Sequence, residues 1–395
     1  MEPHGACLAH LSDANRAIYL TTLTPGIDLD HRGTHFTEGL RRQLLYTLRD
    51  STTGKPHVGT ARFDEATFSG PASFSRAAFS GDASFTSAAF SGDASFNGTA
   101  FSAEARFEET AFSDDASFDQ AAFSGPASFD QAAFSGPASF TRAAFSGEAR
   151  FDGATFSRPA WFGKVTFSSP ASFSGAAFSG YDSFVQATFS AEARFDGATF
   201  SGNAWFDEAT FEAASRLGPV VCNGTLILSG ARFASPVTIE VAAARLECRG
   251  TRWDSQAALR LRHATVDLSD GVYEYPLSGV HREVADHGSG VSVGRATRAG
   301  RRPVSTVKII GRSGSGGMPG SAAPVTASRC DPSAVGTLRD RGRLGDARAA
   351  VDHPSPERTE GPRRAVARAA SGSPGRAGGT DDREAGGDRA GGPAL

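Results

Sequence analysis

Cysteine is scarce: Cys7, Cys222, Cys248 and Cys330 are the four in 395 residues, far apart and with no CxxC pair. That spacing argues against a zinc site and gives no disulfide framework. Long apolar runs are missing too, and the start Met1-Glu2-Pro3-His4 has no basic region leading into an apolar one. The expectation is a soluble, cytoplasmic protein with no membrane contact. Between residues 61 and 211 there is neither histidine nor cysteine; His31 and His35 precede that stretch, and His263, His281 and His287 follow it. No Ser-His-Asp arrangement or metal-ligand spacing emerges, and no GxxxxGK[ST] phosphate loop occurs. His263, following Arg262, reads as an outward surface residue. The chain therefore reads as non-enzymatic, with no catalytic, cofactor or metal residue assigned.

What the chain has in excess is phenylalanine on a beat. The residue falls at 63, 68, 74, 79, 85, 90, 96 and 101, and the steps of five and six alternate without a miss to 206 and 211. All but Phe36 and Phe233 of the 30 phenylalanines lie on it, and alanine stands two places before almost every one. A fixed internal period of this kind dictates a repeat architecture. An eleven-residue unit can describe a helical supercoil. Here, however, the steps scatter the rings around a helix, and most units carry Ser-Gly or Pro, as in Phe123-Ser124-Gly125-Pro126. Those residues break helices.

Short extended pieces with a corner at each glycine fit better. Residues two apart on a strand face the same way, so Ala72 and Phe74 point inward while Ser73 and Ser75 point outward. The small alanine leaves room for the ring, and rings stack from coil to coil. Each buried ring contributes roughly 1.5–3 kcal/mol before chain entropy is counted. The inward ladder includes Phe63, Phe85, Phe107, Phe129, Phe151, Phe173 and Phe195.

Units such as Ala61-Arg62-Phe63-Asp64-Glu65 and Ala66-Thr67-Phe68-Ser69-Gly70 resemble the pentapeptide-repeat family. The resemblance implies an all-β fold, a right-handed quadrilateral β-helix (β-solenoid) with four units to a coil. The departure is one extra residue in every second unit, such as Pro71 or Asp82, which gives coils of 22 residues with the extra residue at two of the four corners.

Four segments follow. Residues 1–60 read as a small N-terminal helical cap. A helix over 12–24 is capped by Ser12, Ile27-Asp28-Leu29-Asp30 alternates like a strand, and a second helix runs from Thr37 to Arg49 with Leu40, Leu44, Leu45 and Leu48 on one face. Residues 61–214 form the Phe-centred array. Residues 215–276 continue it with a repeat of 20, because Leu226/Leu228, Leu246/Cys248 and Val266/Leu268 keep that spacing, as do Phe233, Trp253 and Tyr273. Cys248 then reads as a core residue. Residues 277–395 read as a disordered Gly/Arg/Pro/Ala-rich tail. From 289 onward it has ten acids against eighteen bases, which would allow weak, non-specific contact with nucleic acid. A solvated extension and an out-of-frame product of a GC-rich gene are the alternatives.

The outer faces suggest function. Residues 61–211 carry eighteen acids and eight bases, a net of −10. One outward ladder reads Asp64, Thr86, Glu108, Asp130, Asp152, Ser174, Asp196, and stacked like charges repel unless something compensates. The next reads Arg62, Ser84, Arg106, Ser128, Arg150, Ser172, Arg194, with arginine on every second coil. Trp161 and Trp205 lie on one outward ladder with Ser183 between them and Tyr181 nearby, a candidate partner-binding surface. The expected function is a rigid protein-interaction scaffold whose protein partner and oligomeric state the sequence does not name. The alternative comes from the resemblance: some family members are acidic DNA mimics that occupy a type II topoisomerase such as gyrase. The interleaved arginines interrupt the negative field that mimicry needs.

Overall fold

A computed structural model describes residues 7–281. The expectations placed on residues 282–395 lie outside the described residues. The described residues form a parallel β-solenoid of about ten turns with two short helices at its N-terminal end. From Ala61 to Phe211, two-residue strands pair in parallel with those of the next coil 22 residues on, as in Ala61↔Ala83, Ala72↔Ala94, Ala89↔Ala111 and Ala100↔Ala122. These pairs belong to four separate ladders, so each coil has four sides.

Every phenylalanine of the beat is buried. Each ring lies flat on the ring one coil away and edge-on to a neighbour within the stack. Phe129 stacks on Phe107 with centroids 4.9 Å apart and planes 2° from parallel. It meets Phe118 at 5.2 Å and 89°. Offset stacks and edge contacts are the two geometries that the aromatic quadrupole favours. The inner small positions are filled by alanine because the rings leave little else. Where Thr99 and Thr110 replace it, their buried hydroxyls donate to the carbonyls of Phe74 and Phe85 at 2.8 and 2.7 Å.

The corners differ from the glycine-at-every-corner expectation. In each five-residue step the Ala66 type of N–H donates back to the Phe63 type of carbonyl, here at 3.0 Å, and the residue between has positive φ, 57° at Glu65. This is a type II turn, with its left-handed third position. That position is usually not glycine: Arg76, Ser87, Glu109, Gln120, Gln131 and Arg142 all hold it. The Ser-Gly glycines serve the other corners, where the extra residues Pro71 and Asp82 lie outside the strands. There the coils approach closely. A Cβ on Gly136 would stand 2.4 Å from the Asp114 carbonyl carbon.

At the N-terminal end, Ser12 accepts from the Asn15 N–H and opens helix α1, Asp13–Thr22. Thr37 accepts from Leu40 N–H and opens α2, Glu38–Thr47, which buries Leu40, Leu44 and Leu45. The segment before residue 61 also enters the sheet. Strands β1, Leu29–Asp30, and β2, His35–Thr37, pair with Ala61–Arg62 and Thr67–Ser69. His31 and Phe36 thereby extend two ring columns: His31 lies over Phe63 at 6.1 Å and Phe36 over Phe68 at 5.1 Å.

Past Phe211 the repeat shortens inside one strand pair, Ser215–Ile227 against Val237–Glu247. Its partners run Ser215↔Val237, then Val220↔Val241, then Thr225↔Arg245. One residue is lost at each of two irregularities, after Leu217 and after Cys222. Beyond them the spacing of 20 holds, as in Leu246↔Val266 and Trp253↔Tyr273. Phe211, Phe233 and Trp253 continue one column at 4.9 and 4.7 Å. Cys248 is buried in the core, and burial pushes its thiol up. The ladder runs on to Ser278–His281, beside Ala258–Leu261.

Candidate interaction site

The outward ladder that carries the tryptophans reads Ser139↔Trp161, Trp161↔Ser183, Ser183↔Trp205 and Trp205↔Ile227. Strand alternation turns these side chains outward because Phe140, Phe162, Phe184 and Phe206, one residue on, point in. Trp161 is 41% and Tyr181 68% exposed. Within residues 61–211 they are the exposed large hydrophobics. Tyr181, at the preceding corner, leans on Trp205 with centroids 5.7 Å apart and planes at 45°. Trp205 is half-buried as a result. The structure thus brings Tyr181 and Trp205 together and sets Trp161 two coils away on the same face.

Beneath this patch lies a residue the sequence reading passed over. Asp182 occupies an inner small position, where the array has alanine, and is fully buried. Its Oδ1 accepts the Ala160 N–H at 3.1 Å, and its Oδ2 is buried without a hydrogen-bond partner. The coils break register here: Trp161 pairs with Ser183, but Ala160 and Asp182 do not pair. Desolvation raises the carboxyl from 3.8 to about 7, against smaller lowering effects of the Ala160 and Gly180 N–H groups. The signal was available: across the whole beat, this is the one carboxylate two places before a phenylalanine.

The acidic ladder is compensated, as its stacked charges require. Asp130 Oδ1 accepts the Asp152 N–H at 3.0 Å, and Asp152 accepts that of Ser174 at 2.9 Å. Asp119 takes the Thr141 N–H at 3.0 Å in the same way. These carboxylates supply acceptors to the next coil. The alternating arginines pair as well: Arg106 with Glu104, Arg150 with Asp130, and Arg194 with Glu192 at 2.9 Å. The guanidiniums are about half exposed, so solvent screens each pair and none adds much to stability. Their larger effect is to break the negative field. A further trio, Asp93, Asp114 and Asp115, converges at an exposed corner with carboxylate oxygens within 4.8 Å of one another. His263 is exposed, at a corner. No helix among the described residues is long and apolar enough to cross a membrane.

Residues 63–111 and 107–155 match the family model described as pentapeptide repeats (9 copies). No curated protein and no solved structure matches the chain. The match begins at the first ring of the array and covers its N-terminal part, where the inward Phe, the small preceding residue and the four-sided coil are seen in the structure independently of it. The array of this chain is a run of pentapeptide repeats, folded as a β-solenoid and carrying phenylalanine at the central position.

Proposed function

We propose that this solenoid is a non-enzymatic scaffold that holds a protein partner on the Trp161–Tyr181–Trp205 face. The exposure of Trp161 and Tyr181 on an otherwise Ser- and Ala-rich surface carries the reading. Large aromatic rings on a pre-organised backbone lose little conformational entropy on binding, and they dominate contact energetics where they occur. The stacked core beneath supplies the rigidity. Topoisomerase occupation by DNA mimicry is the weaker reading, because arginines interrupt the acidic surface of 61–211, pairing with Glu104, Asp130, Glu192 and Asp196.

The test is capture from a lysate of the native host by the full chain, against Trp161→Ala combined with Trp205→Ala. The expected result is loss of a specific captured protein with unchanged thermal unfolding. Equal capture by the double variant removes the aromatic face from the proposal. A gyrase supercoiling assay checks the weaker reading, with no inhibition expected.

A further inference from the structure

Asp182 is a buried acid with half of its carboxylate unserved, placed directly after the exposed ring that covers Trp205. Elsewhere in the array the inner position holds groups that need no charge balance. Alanine has no polar atom, and Thr99 and Thr110 satisfy their hydroxyls on main-chain carbonyls. Asp182 makes one hydrogen bond of ordinary geometry, through the Ala160 N–H, while the Gly180 N–H offsets only part of the burial penalty and Oδ2 has no partner at hydrogen-bond geometry. A neutral acid can be tolerated there. An ionised one is costly unless it finds water or a cation.

The surroundings offer no such cation. On the preceding coil the Ala160–Trp161 strand faces it, on the following coil Ala204–Trp205, and beside it in its own coil Gly180, Tyr181 and Ser183. The titratable group that feels its charge is the buried Cys222 thiol, on the strand Ser215–Ile227, which burial pushes up. Among the described residues Asp182 makes no ion pair. The least costly escape for an anion is outward, through the corner whose register is already broken between Ala160 and Asp182. Tyr181 must move with it.

We propose that Asp182 is a proton-operated latch on the Tyr181–Trp205 corner. Protonated, it stays inside and Tyr181 covers Trp205. Ionised, it draws the corner outward and uncovers Trp205. Burial sets the carboxyl near neutral pH, so both states are accessible under ordinary conditions. Any consequence for partner capture rests on the proposed aromatic face; the latch itself does not.

The test uses the free full-length chain carrying Trp161→Phe, so that Trp205 and the deeply buried Trp253 report. Tryptophan emission is followed from pH 5 to pH 9, with far-UV circular dichroism as a check on folding. A sigmoidal change with a midpoint near neutrality is expected. It should vanish when Asp182→Asn is added, and also with Asp182→Ala, which restores the residue of the neighbouring coils and guards against a misfolded amide variant. Adding Trp205→Phe should remove the change as well. A flat profile in the Trp161→Phe protein, or a change that survives Asp182→Ala, overturns the latch. Neither result depends on a partner, so failure of the aromatic face in the capture assay would leave this readout standing.

Discussion

The Asp182 carboxylate takes the Ala160 N–H at 3.1 Å, a role that falls one coil earlier to a main-chain carbonyl, where Ala138 N–H donates to Pro159. The side chain replaces a ladder bond that the broken register removed. The acid's ordinary value of 3.8 is raised to about 7, so the folded state holds the proton more tightly than the unfolded chain. Its contribution to stability therefore declines as pH rises from about 4 through about 7. Asp182→Ala should be more stable than the parent at pH 8, by at most a few kcal/mol, with a much smaller difference at pH 5. Urea unfolding of both proteins at both pH values measures this. A variant no more stable than the parent at pH 8 would mean that the buried charge costs nothing.

His31 has the opposite sign. It caps the Phe63 column and is buried, with Tyr19 Oη 3.3 Å from its Nε2. Desolvation lowers its pKa from 6.5 to about 4, partly offset by Asp30. The unfolded chain then binds more protons, so stability is lost as pH falls from about 6.5 towards about 4. The loss should be local to α1, β1 and β2. Hydrogen exchange in those elements should quicken at pH 4.5 relative to mid-array coils, after correction for intrinsic rates, and His31→Leu should suppress the difference. Uniform behaviour along the chain would remove the cap from the account. Asp182 and His31 act over overlapping pH ranges in opposite directions, so a global melting curve alone would hide both.

Gly136 lies where two coils touch. A methyl there would press on the Asp114 main chain at 2.4 Å, which cannot swing aside as a side chain could. Gly153 is different: its φ is 67°, but its nearest neighbour is the flexible Gln131 side chain at 3.6 Å. Gly153→Ala should cost only about 1 kcal/mol of backbone strain. Gly136→Ala should cost clearly more, by roughly 1–3 kcal/mol of overpacking. Thermal unfolding of the two variants side by side decides. The reverse order would contradict the close approach of the coils.

Much of this was legible in the residues. A ring every five or six positions with alanine two places earlier fixes which side of each strand is inside, and the change to a repeat of 20 was visible in Phe233, Trp253 and Tyr273. Two features were not. β1 and β2 lie 32 residues before their partners, because α2 and the turn after it interrupt the coil, so no period exposes them. Corner chemistry was misread because a left-handed turn position and a close backbone approach both favour glycine, and only geometry separates Glu65 from Gly136. The Trp161–Trp205 ladder was readable from spacing, whereas the lean of Tyr181 onto Trp205 is a corner contact that no spacing exposes.

The central claim is that stacked phenylalanine rings hold the coils together. Phe129 sits mid-array, fully buried between Phe107 and Phe151 at 4.9 and 4.8 Å. Phe129→Ala should cost about 3–5 kcal/mol, and Phe129→Asp more, since it leaves an unpaired charge among rings. The deciding measurement is calorimetric unfolding of Phe129→Asp beside Ser124→Asp, an exposed site one coil side away. The account predicts that the Ser124 variant melts like the parent while the Phe129 variant loses its cooperative transition; a Phe129→Asp protein that melts cooperatively at the parent temperature would contradict it.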